Sequence, residues 1–330
     1  MEPRDRPVTA VRPDGWLATA ERLVLLPLAA LSAMAWAIGV TVLQPLSEPT
    51  GPHAIGENNT YWARELRFGA LIAVILVLIV VARADRRATR AVCLGGLLWL
   101  AADLGLDRID QASGTVPLAA GAALVAVAGC AVAWALPGTP RPATLLTVGA
   151  VAAVASGLVT LTESPTDTET ALHVGSAAVA FLLALVAVAA GAAAGTLRGF
   201  RAATTVAAGV VLAAAPPLLR HLSPQPSAGR VLGVFAFTAL LVAVVAELAR
   251  GGGDYPLVGA AVIAAVVLPV MWMPLMLASI MLRLGTPFTV LAANPPVNAA
   301  DEDIVLVLLA LPIGLVLGRV LRAVTPTRPA

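Results

Sequence analysis

The chain has 330 residues, of which 59% are hydrophobic and only 12% are charged, and its formal net charge is +2. Its mean hydropathy is +0.91. A soluble protein of this length needs many more charged side chains to cover its surface, so this composition excludes an ordinary soluble enzyme or binding domain. Apolar stretches of about 17 to 25 residues, the length that crosses a bilayer, recur along the chain. The sequence therefore predicts an all-α, polytopic integral membrane protein.

Several chemical classes are excluded by missing residue types and motifs. The sequence contains no lysine, since all 21 basic residues are arginine, and this excludes a retinal Schiff base. No P-loop, GxSxG, HExxH, CxxC or dinucleotide-binding fingerprint occurs in a suitable context. We therefore expect no cofactor, no bound metal and no nucleic-acid partner. The missing lysine and the bias toward Ala, Val, Leu, Gly and Pro indicate a GC-rich genome, which we expect to be bacterial.

About ten apolar segments are predicted to be transmembrane helices joined by short connections. They lie at about 22–44, 61–82, 91–107, 116–136, 143–161, 170–194, 202–219, 231–249, 256–282 and 303–321. The connections after even-numbered segments carry arginine, and those after odd-numbered segments carry acids or histidine. With both termini in the cytoplasm, 15 of the 21 arginines lie inside, which satisfies the positive-inside rule. We therefore expect cytoplasmic termini and a location in the plasma membrane.

The domain organisation follows from these segments. Residues 1–20 are predicted to form a cytoplasmic tail, residues 21–322 a single transmembrane domain, and residues 323–330 a second cytoplasmic tail. The first apolar segment lacks a small-residue cleavage site, so we expect it to be retained and not removed as a signal peptide. No connection is long enough for a soluble domain, and the two halves show no convincing repeat.

Charged residues interrupt the second segment near its outer end. Arg64, Glu65 and Arg67 lie one to two turns inside it, at a depth where charge begins to be costly. Two interpretations are open. The arginines reach outward and pair with Glu65 or with acids of the loops, or they bind an anionic headgroup or substrate from one face of the helix.

Three aspartates occupy the outer end of the third segment, in the sequence AADLGLDRID. Asp103, Asp107 and Asp110 are spaced by four and three residues, which places them on one face if the helix continues. The second and third segments are antiparallel, so these acids lie at the same level as Arg64 and Arg67. The interpretations are a structural ion-pair cluster, a proton- or cation-coupling site, and a metal-dependent catalytic site.

His173 and the ninth segment supply further candidates. His173 lies near the outer start of the sixth segment, where it suits either a proton relay or a structural hydrogen bond. In the ninth segment, Pro269 and Pro274 fall near the middle of the membrane, with Trp272 and two methionines between them. Interrupted helices often line transport sites, and a kinked packing helix is the plain alternative.

The single membrane domain, the proline-containing helix and the outer acid and arginine residues together favour a transporter or exporter. Its solute is expected to be small and amphipathic or apolar. Proton coupling through Asp103 or His173 would be the natural energy source. The expected partners are the lipid bilayer and that solute.

Two other functions remain open. The first is a membrane-embedded enzyme that acts on a lipid-linked substrate at the outer leaflet, with Arg64 and Arg67 holding phosphate and Asp107 or Glu65 as the base. The outer connections are short and no catalytic pair stands out, so we expect transport and not catalysis. The second is a non-catalytic subunit of a larger complex, which would have another membrane protein as its partner.

Overall fold

The computed structural model describes residues 15–47, 60–136, 138–162, 169–195, 199–223, 225, 227–249, 257–294 and 305–324. Regular structure in these ranges is helical, without strands. The helices are α1 (Gly15–Ile38), α2 (Gln44–Ser47), α3 (Thr60–Val81), α4 (Arg86–Arg108), α5 (Thr115–Ala135), α6 (Pro142–Leu161), α7 (Thr170–Ala194), α8 (Gly199–Ala213), α9 (Ala215–Leu222), α10 (Ala228–Ala249), α11 (Leu257–Met281), α12 (Thr286–Ala292) and α13 (Ala310–Val324). A π-helical segment, Gly39–Leu43, joins α1 to α2, and a 3₁₀ turn, Val307–Leu309, leads into α13.

Within the described ranges, nine helical stretches are long and apolar enough to cross a membrane. They are Leu23–Ser47, Arg86–Arg108, Thr115–Ala135, Pro142–Leu161, Thr170–Ala194, Gly199–Leu222, Ala228–Ala249, Leu257–Met281 and Val307–Val324. α3 has a similar length but carries Arg64, Glu65 and Arg67 in its first two turns, which sets it apart from the nine. The predicted all-helical fold is confirmed, and the apolar helices are those that a multi-pass membrane protein requires.

Three predicted segments differ from the observed helices. The third helix begins at Arg86 and not at residue 91, because the side chain of Asp85 caps an additional turn. The seventh segment is divided at Ala214 into α8 and α9, where two prolines follow in the first turn of α9. The connection after the ninth segment was predicted to be a loop, and it contains the short helix α12.

The centre of the bundle consists of α3, α6, α7 and α10, whose side chains are mostly buried. α6, α7 and α10 are rich in alanine and valine, and small side chains let membrane helices approach closely. α4, α5, α8 and α11 lie at the periphery and expose much of their apolar surface. Lipid tails are as apolar as these side chains, so that exposure costs little in a bilayer. α3 therefore carries its charged residues into the protein interior and not toward lipid.

Several helix ends meet at one end of the bundle, which we call the polar end. α3, α7 and α10 begin there, and α1, α4, α6 and α9 end there. Typical contacts across it are the hydrogen bonds from Trp62 Nε1 to Ser176 Oγ and from Thr41 Oγ1 to Thr115 Oγ1, each 2.9 Å long. Every buried charged side chain in the described ranges lies at this end: Arg64, Glu65, Arg67, Asp103, Asp107, Arg220 and Arg230.

At the opposite end, Asp85 ties the turn between α3 and α4 to the connection between α5 and α6. Asp85 Oδ1 accepts hydrogen bonds from the backbone N–H groups of Arg87 (2.9 Å) and Ala88 (3.2 Å). Its Oδ2 accepts one from the backbone N–H of Thr139 (3.3 Å). The bond from Ala88, followed by those from Thr139 and Arg87, holds the pKa of the Asp85 carboxyl below its usual range. The ionised form also suits the N-terminus of α4.

We expect Asp85→Asn to lower thermal stability at neutral pH and the difference from the wild type to shrink in acid. A carboxyl with a depressed native pKa stabilises the fold above its unfolded-state pKa of about 3.9, and this contribution is lost as the pH falls through the native pKa. The measurement is the thermal unfolding midpoint of both proteins in detergent between about pH 7 and pH 3. A difference that does not change with pH would contradict this role of the carboxylate.

Candidate functional site

A buried arginine and two aspartates join α3 to α4 at the polar end. Arg67 Nη2 donates to Asp107 Oδ2 at 2.7 Å, and Arg67 Nε lies 3.4 Å from Asp103 Oδ1. Arg67 and Asp103 are fully buried, and Asp107 is 2% exposed. Asp103 and Asp107 are one helical turn apart on α4, so one guanidinium group reaches both carboxylates. We call these three residues the charged triad.

Neutral side chains from two other parts of the chain contact the charged triad. Trp36 Nε1, from α1, donates to Asp103 Oδ1 at 2.8 Å. Asn294 Nδ2, which follows α12, lies 3.5 Å from Asp107 Oδ2 as a long hydrogen bond. Trp36 also packs edge to face against Trp99 of α4, with 5.3 Å between the ring centroids. The charged triad therefore lies where α1, α3, α4 and the segment after α12 meet.

Gly39, the first residue of the π-helical segment, makes room for the arginine of the charged triad. A Cβ atom at this position would lie 2.6 Å from Arg67 Cγ, which is too close for a side chain unless Arg67 moves. π-helical turns inside α-helices occur frequently at functional sites. The absence of a side chain at Gly39 therefore leaves space for Arg67 in its buried position.

The charged triad has an excess of negative charge. One guanidinium group faces two carboxylates, so the fully ionised triad carries one uncompensated negative charge. Asp103 Oδ2 and Asp107 Oδ1 are buried and accept no hydrogen bond from the part of the chain that the structure describes. Removing an ion from water costs several kcal/mol of free energy. The attraction within a well-made buried ion pair is of about the same size, so it offsets this cost only for charges that are paired. The structure thus brings the predicted acids and arginine together, with one acid in excess.

Arg64 and Glu65 contact a different part of the polar end. Glu65 is fully buried, and its carboxylate accepts hydrogen bonds from the backbone N–H groups of Leu306 (2.5 Å) and Val307 (2.7 Å). These N–H groups belong to the start of the last helical stretch, where an anion is favourable. Arg64 Nη1 donates to Thr289 Oγ1 of α12 at 2.8 Å. The two arginines of α3 therefore have different partners, and their joint binding of an anion stays a prediction.

Asp110 lies outside the charged triad because α4 ends at Arg108. Its φ of 50° places it in a left-handed turn, so the helical spacing that would align three aspartates does not extend to it. Asp110 is exposed, and together with Asp107 it lines a pocket of about 40 Å³. The other residues that line this pocket are Val40, Gln44, Pro45, Gln111 and Ala112.

His173 belongs to a second buried group at the polar end. Its Nδ1 lies 3.2 Å from Arg220 Nη1, and it packs edge to face against Trp62 with 5.1 Å between ring centroids. The guanidinium group of Arg220 lies 5.3 Å from the centre of the Trp62 ring and donates to the backbone carbonyls of Val159 and Thr162. These contacts join α3, α6, α7 and α9. They give His173 a structural position, and a proton relay through it stays a prediction.

The structure assigns buried positions to residues that the sequence did not single out. Arg220 follows an apolar segment and has the pattern of a cation at the membrane boundary, but it is only 4% exposed. Tryptophan near a helix end is typical of the same boundary, whereas Trp36 donates to Asp103 and Trp62 donates to Ser176. No signal in the sequence indicates these partners, because each contact joins separate helices.

The helix that contains Pro269 and Pro274 is peripheral. α11 continues through both prolines without a break. Pro274 is exposed, Pro269 is partly buried, and Trp272 packs edge to face against Phe235 of α10 with 5.6 Å between ring centroids. Of the two interpretations, an interrupted transport helix and a packing helix that contains prolines, the continuous helix fits the second. A solute site beside these residues stays a prediction.

The chain matches no family model, no curated protein and no solved structure. Over the described ranges, no group of three or more His, Cys, Asp or Glu side chains is arranged to hold a metal ion.

Proposed function

We propose that the protein is a transporter or exporter that moves a small amphipathic or apolar solute across the plasma membrane and is driven by a proton gradient. About ten membrane helices are part of the proposal, with α3 added to the nine apolar stretches. α3 supports this number, since its 22 residues are long enough to cross the hydrocarbon core. The lysine-free composition supports an origin in a bacterium with a GC-rich genome.

The observation that carries the proposal is the charged triad. Ionisable side chains inside a membrane helix bundle are costly, and they typically mark ion pathways and proton relays. Apolar side chains of similar volume often provide equal or greater stability than a buried ion pair. The charged triad nevertheless contains two carboxylates for one arginine. This imbalance is useful if a carboxylate binds and releases a proton during transport.

The distribution of charge supports a polar end that faces outward, with both termini in the cytoplasm. In the predicted topology, 15 of the 21 arginines lie on the cytoplasmic side. The buried charges of the described residues lie at the polar end, on the other side of the membrane in that topology. The charged triad would then lie just below the outer surface, close to the compartment from which protons enter.

The contacts of the α3 arginines favour transport over catalysis on a lipid-linked substrate. An enzyme of that kind needs Arg64, Arg67 and Asp107 to face one groove that is open to lipid. Arg67 is fully buried against two aspartates, and Arg64 donates to Thr289. Their hydrogen bonds are therefore directed to separate partners inside the bundle.

Proton-coupled transport can be tested in proteoliposomes with an imposed pH gradient. Tetraphenylphosphonium, ethidium and anilinonaphthalene sulfonate serve as amphipathic probes, and pyranine inside the vesicles reports proton movement. We expect the wild type to move at least one probe in response to the gradient. Asp103→Asn is expected to reduce this coupled rate about tenfold or more, since it removes a carboxylate that binds the proton.

The matched control is Glu247→Gln, which neutralises one carboxylate at the opposite end. Glu247 pairs with Arg201, whose side chain is 73% exposed, and we expect the variant to keep the wild-type rate. Full coupled movement in Asp103→Asn would contradict the role of the charged triad. The absence of gradient-dependent movement of every probe by the folded wild type would contradict transport of this solute class.

A further inference from the structure

We infer that Asp103 and Asp107 share a single proton, and that the pocket beside Asp107 admits the water that delivers it. The ligand is a proton that arrives as hydronium. The inference rests on the proposed function, because it names the site and the route of the coupling proton.

The charged triad becomes electrically neutral when one proton binds. Arg67 balances one of the two carboxylates, and Asp103 and Asp107 both contact it from adjacent turns of α4. Two carboxylates that contact the same guanidinium group repel each other. A pair of this kind retains one proton between them. The neutral triad avoids the cost of a buried net charge.

Two buried oxygen atoms are available to hold the proton. Asp103 Oδ2 and Asp107 Oδ1 accept no hydrogen bond from the described residues, whereas the opposite oxygens contact Arg67, Trp36 and Asn294. A protonated carboxyl is a donor as well as an acceptor, so the proton adds a donor where the described side chains provide none. In the binding step an O–H bond forms on one carboxylate, and the hydronium ion that supplied the proton becomes water.

The pocket links the buried Asp107 of α4 to the exposed Asp110, which follows the end of α4. It has a volume of about 40 Å³, and its lining includes the buried Asp107 and the exposed Asp110. A cavity of about 10–15 Å³ is enough for one water molecule, so this pocket has room for at least one. Gln44 and Gln111 also line it and provide amide groups that hydrogen-bond to water. The pocket therefore connects the exposed carboxylate of Asp110 with the buried carboxylate of Asp107.

The other charged groups near the charged triad leave its net charge unchanged. Arg64 and Glu65 on α3 offset each other and contact α12 and the start of the last helical stretch. Arg108 on α4 is exposed and donates to the backbone carbonyl of Leu291. In the parts of α1, the π-helical segment, α5 and α12 whose side chains are described, no residue is charged. The excess negative charge of this region is therefore that of the charged triad.

Infrared difference spectroscopy of the purified full-length protein tests the shared proton with no solute present. Between acidic and alkaline buffer, we expect the wild type to show the carbonyl-stretch band of a buried carboxylic acid, and we expect this band to persist in Glu65→Gln, which removes the buried carboxyl outside the charged triad. Asp103→Asn alone and Asp107→Asn alone are each expected to remove this band, because the remaining carboxylate pairs with Arg67 and stays ionised. Both variants have a neutral triad, so we expect both to fold, and each serves as a check on the other.

Ala112→Phe tests the route through the pocket. Ala112 is exposed and lines the pocket, so a phenyl ring at this position obstructs it while the charged triad is unchanged. We expect the band to keep its intensity. When the buffer is exchanged for deuterium oxide, we expect the frequency shift of the band to develop about tenfold more slowly than in the wild type. Glu247→Gln is the control and is expected to match the wild type in both the band and its exchange rate.

A band that survives in either aspartate variant, or a folded wild type without the band at any pH, would overturn the shared proton. Exchange in Ala112→Phe at the wild-type rate would overturn the pocket as its route. These outcomes are distinguishable from failure of the proposed function. A protein that shows the shared proton but moves no probe in proteoliposomes retains this site and loses the assignment as a transporter.

Discussion

Arg67→Gln is expected to lower the free energy of unfolding by about 3–5 kcal/mol, the usual cost of removing one partner from a buried ion pair. The substitution leaves Asp103 and Asp107 buried without the guanidinium group that contacts both. The hydrogen bonds of Trp36 and Asn294 and the more distant charge of Arg64 would remain to them. The measurement is unfolding in detergent, by heat and by increasing dodecyl sulfate.

Arg201→Gln is the matched control for this substitution. Arg201 also pairs with one carboxylate, that of Glu247, but its side chain is 73% exposed, so we expect a change of less than about 1 kcal/mol. The triple variant Arg67→Gln/Asp103→Asn/Asp107→Asn contains no buried charge in the triad and is expected to recover most of the lost stability. If Arg67→Gln is no less stable than Arg201→Gln, the charged triad does not hold α3 and α4 together.

Gly314→Val is expected to have the second large effect, a loss of about 2–3 kcal/mol from overpacking. The last helix, α13, lies directly against α6 at this point. A Cβ atom at Gly314 would lie 2.5 Å from Val151 Cα, and one at Gly318 would lie 2.8 Å from Thr147 Cα. These are backbone atoms, so no rotation of a side chain relieves the clash and the two helices must separate. The unfolding midpoint in detergent measures the loss.

Gly121→Val, in α5, is the control for the second substitution. A Cβ atom at Gly121 meets no other atom within 4 Å, so we expect a change of no more than about 0.5 kcal/mol. Equal stability of the Gly314 and Gly121 variants would show that the close approach of α13 to α6 is not required. The spacing of Gly314 and Gly318 in the sequence is typical of packed membrane helices, but it does not indicate which helix they face.

The charged triad could be predicted in part. Counting apolar segments places the start of α3 beside the end of α4, and this brings Arg64, Arg67, Asp103 and Asp107 to one level. Which arginine meets the aspartates could not be predicted, since residues three apart on a helix point in somewhat different directions. In the structure Arg67 contacts α4 and Arg64 contacts α12, a helix that was predicted to be a loop.

Membrane-length helices could be predicted one segment at a time, because bilayer thickness and the need to pair every backbone N–H and C=O act on each segment separately. The burial of the charged side chains could not be predicted in this way, because it depends on contacts between distant parts of the chain. Arg67 and Asp107 are 40 residues apart, and Trp36 and Asp103 are 67 apart. Only the tertiary structure brings the charged triad and the π-helical turn at Gly39 together in a single site.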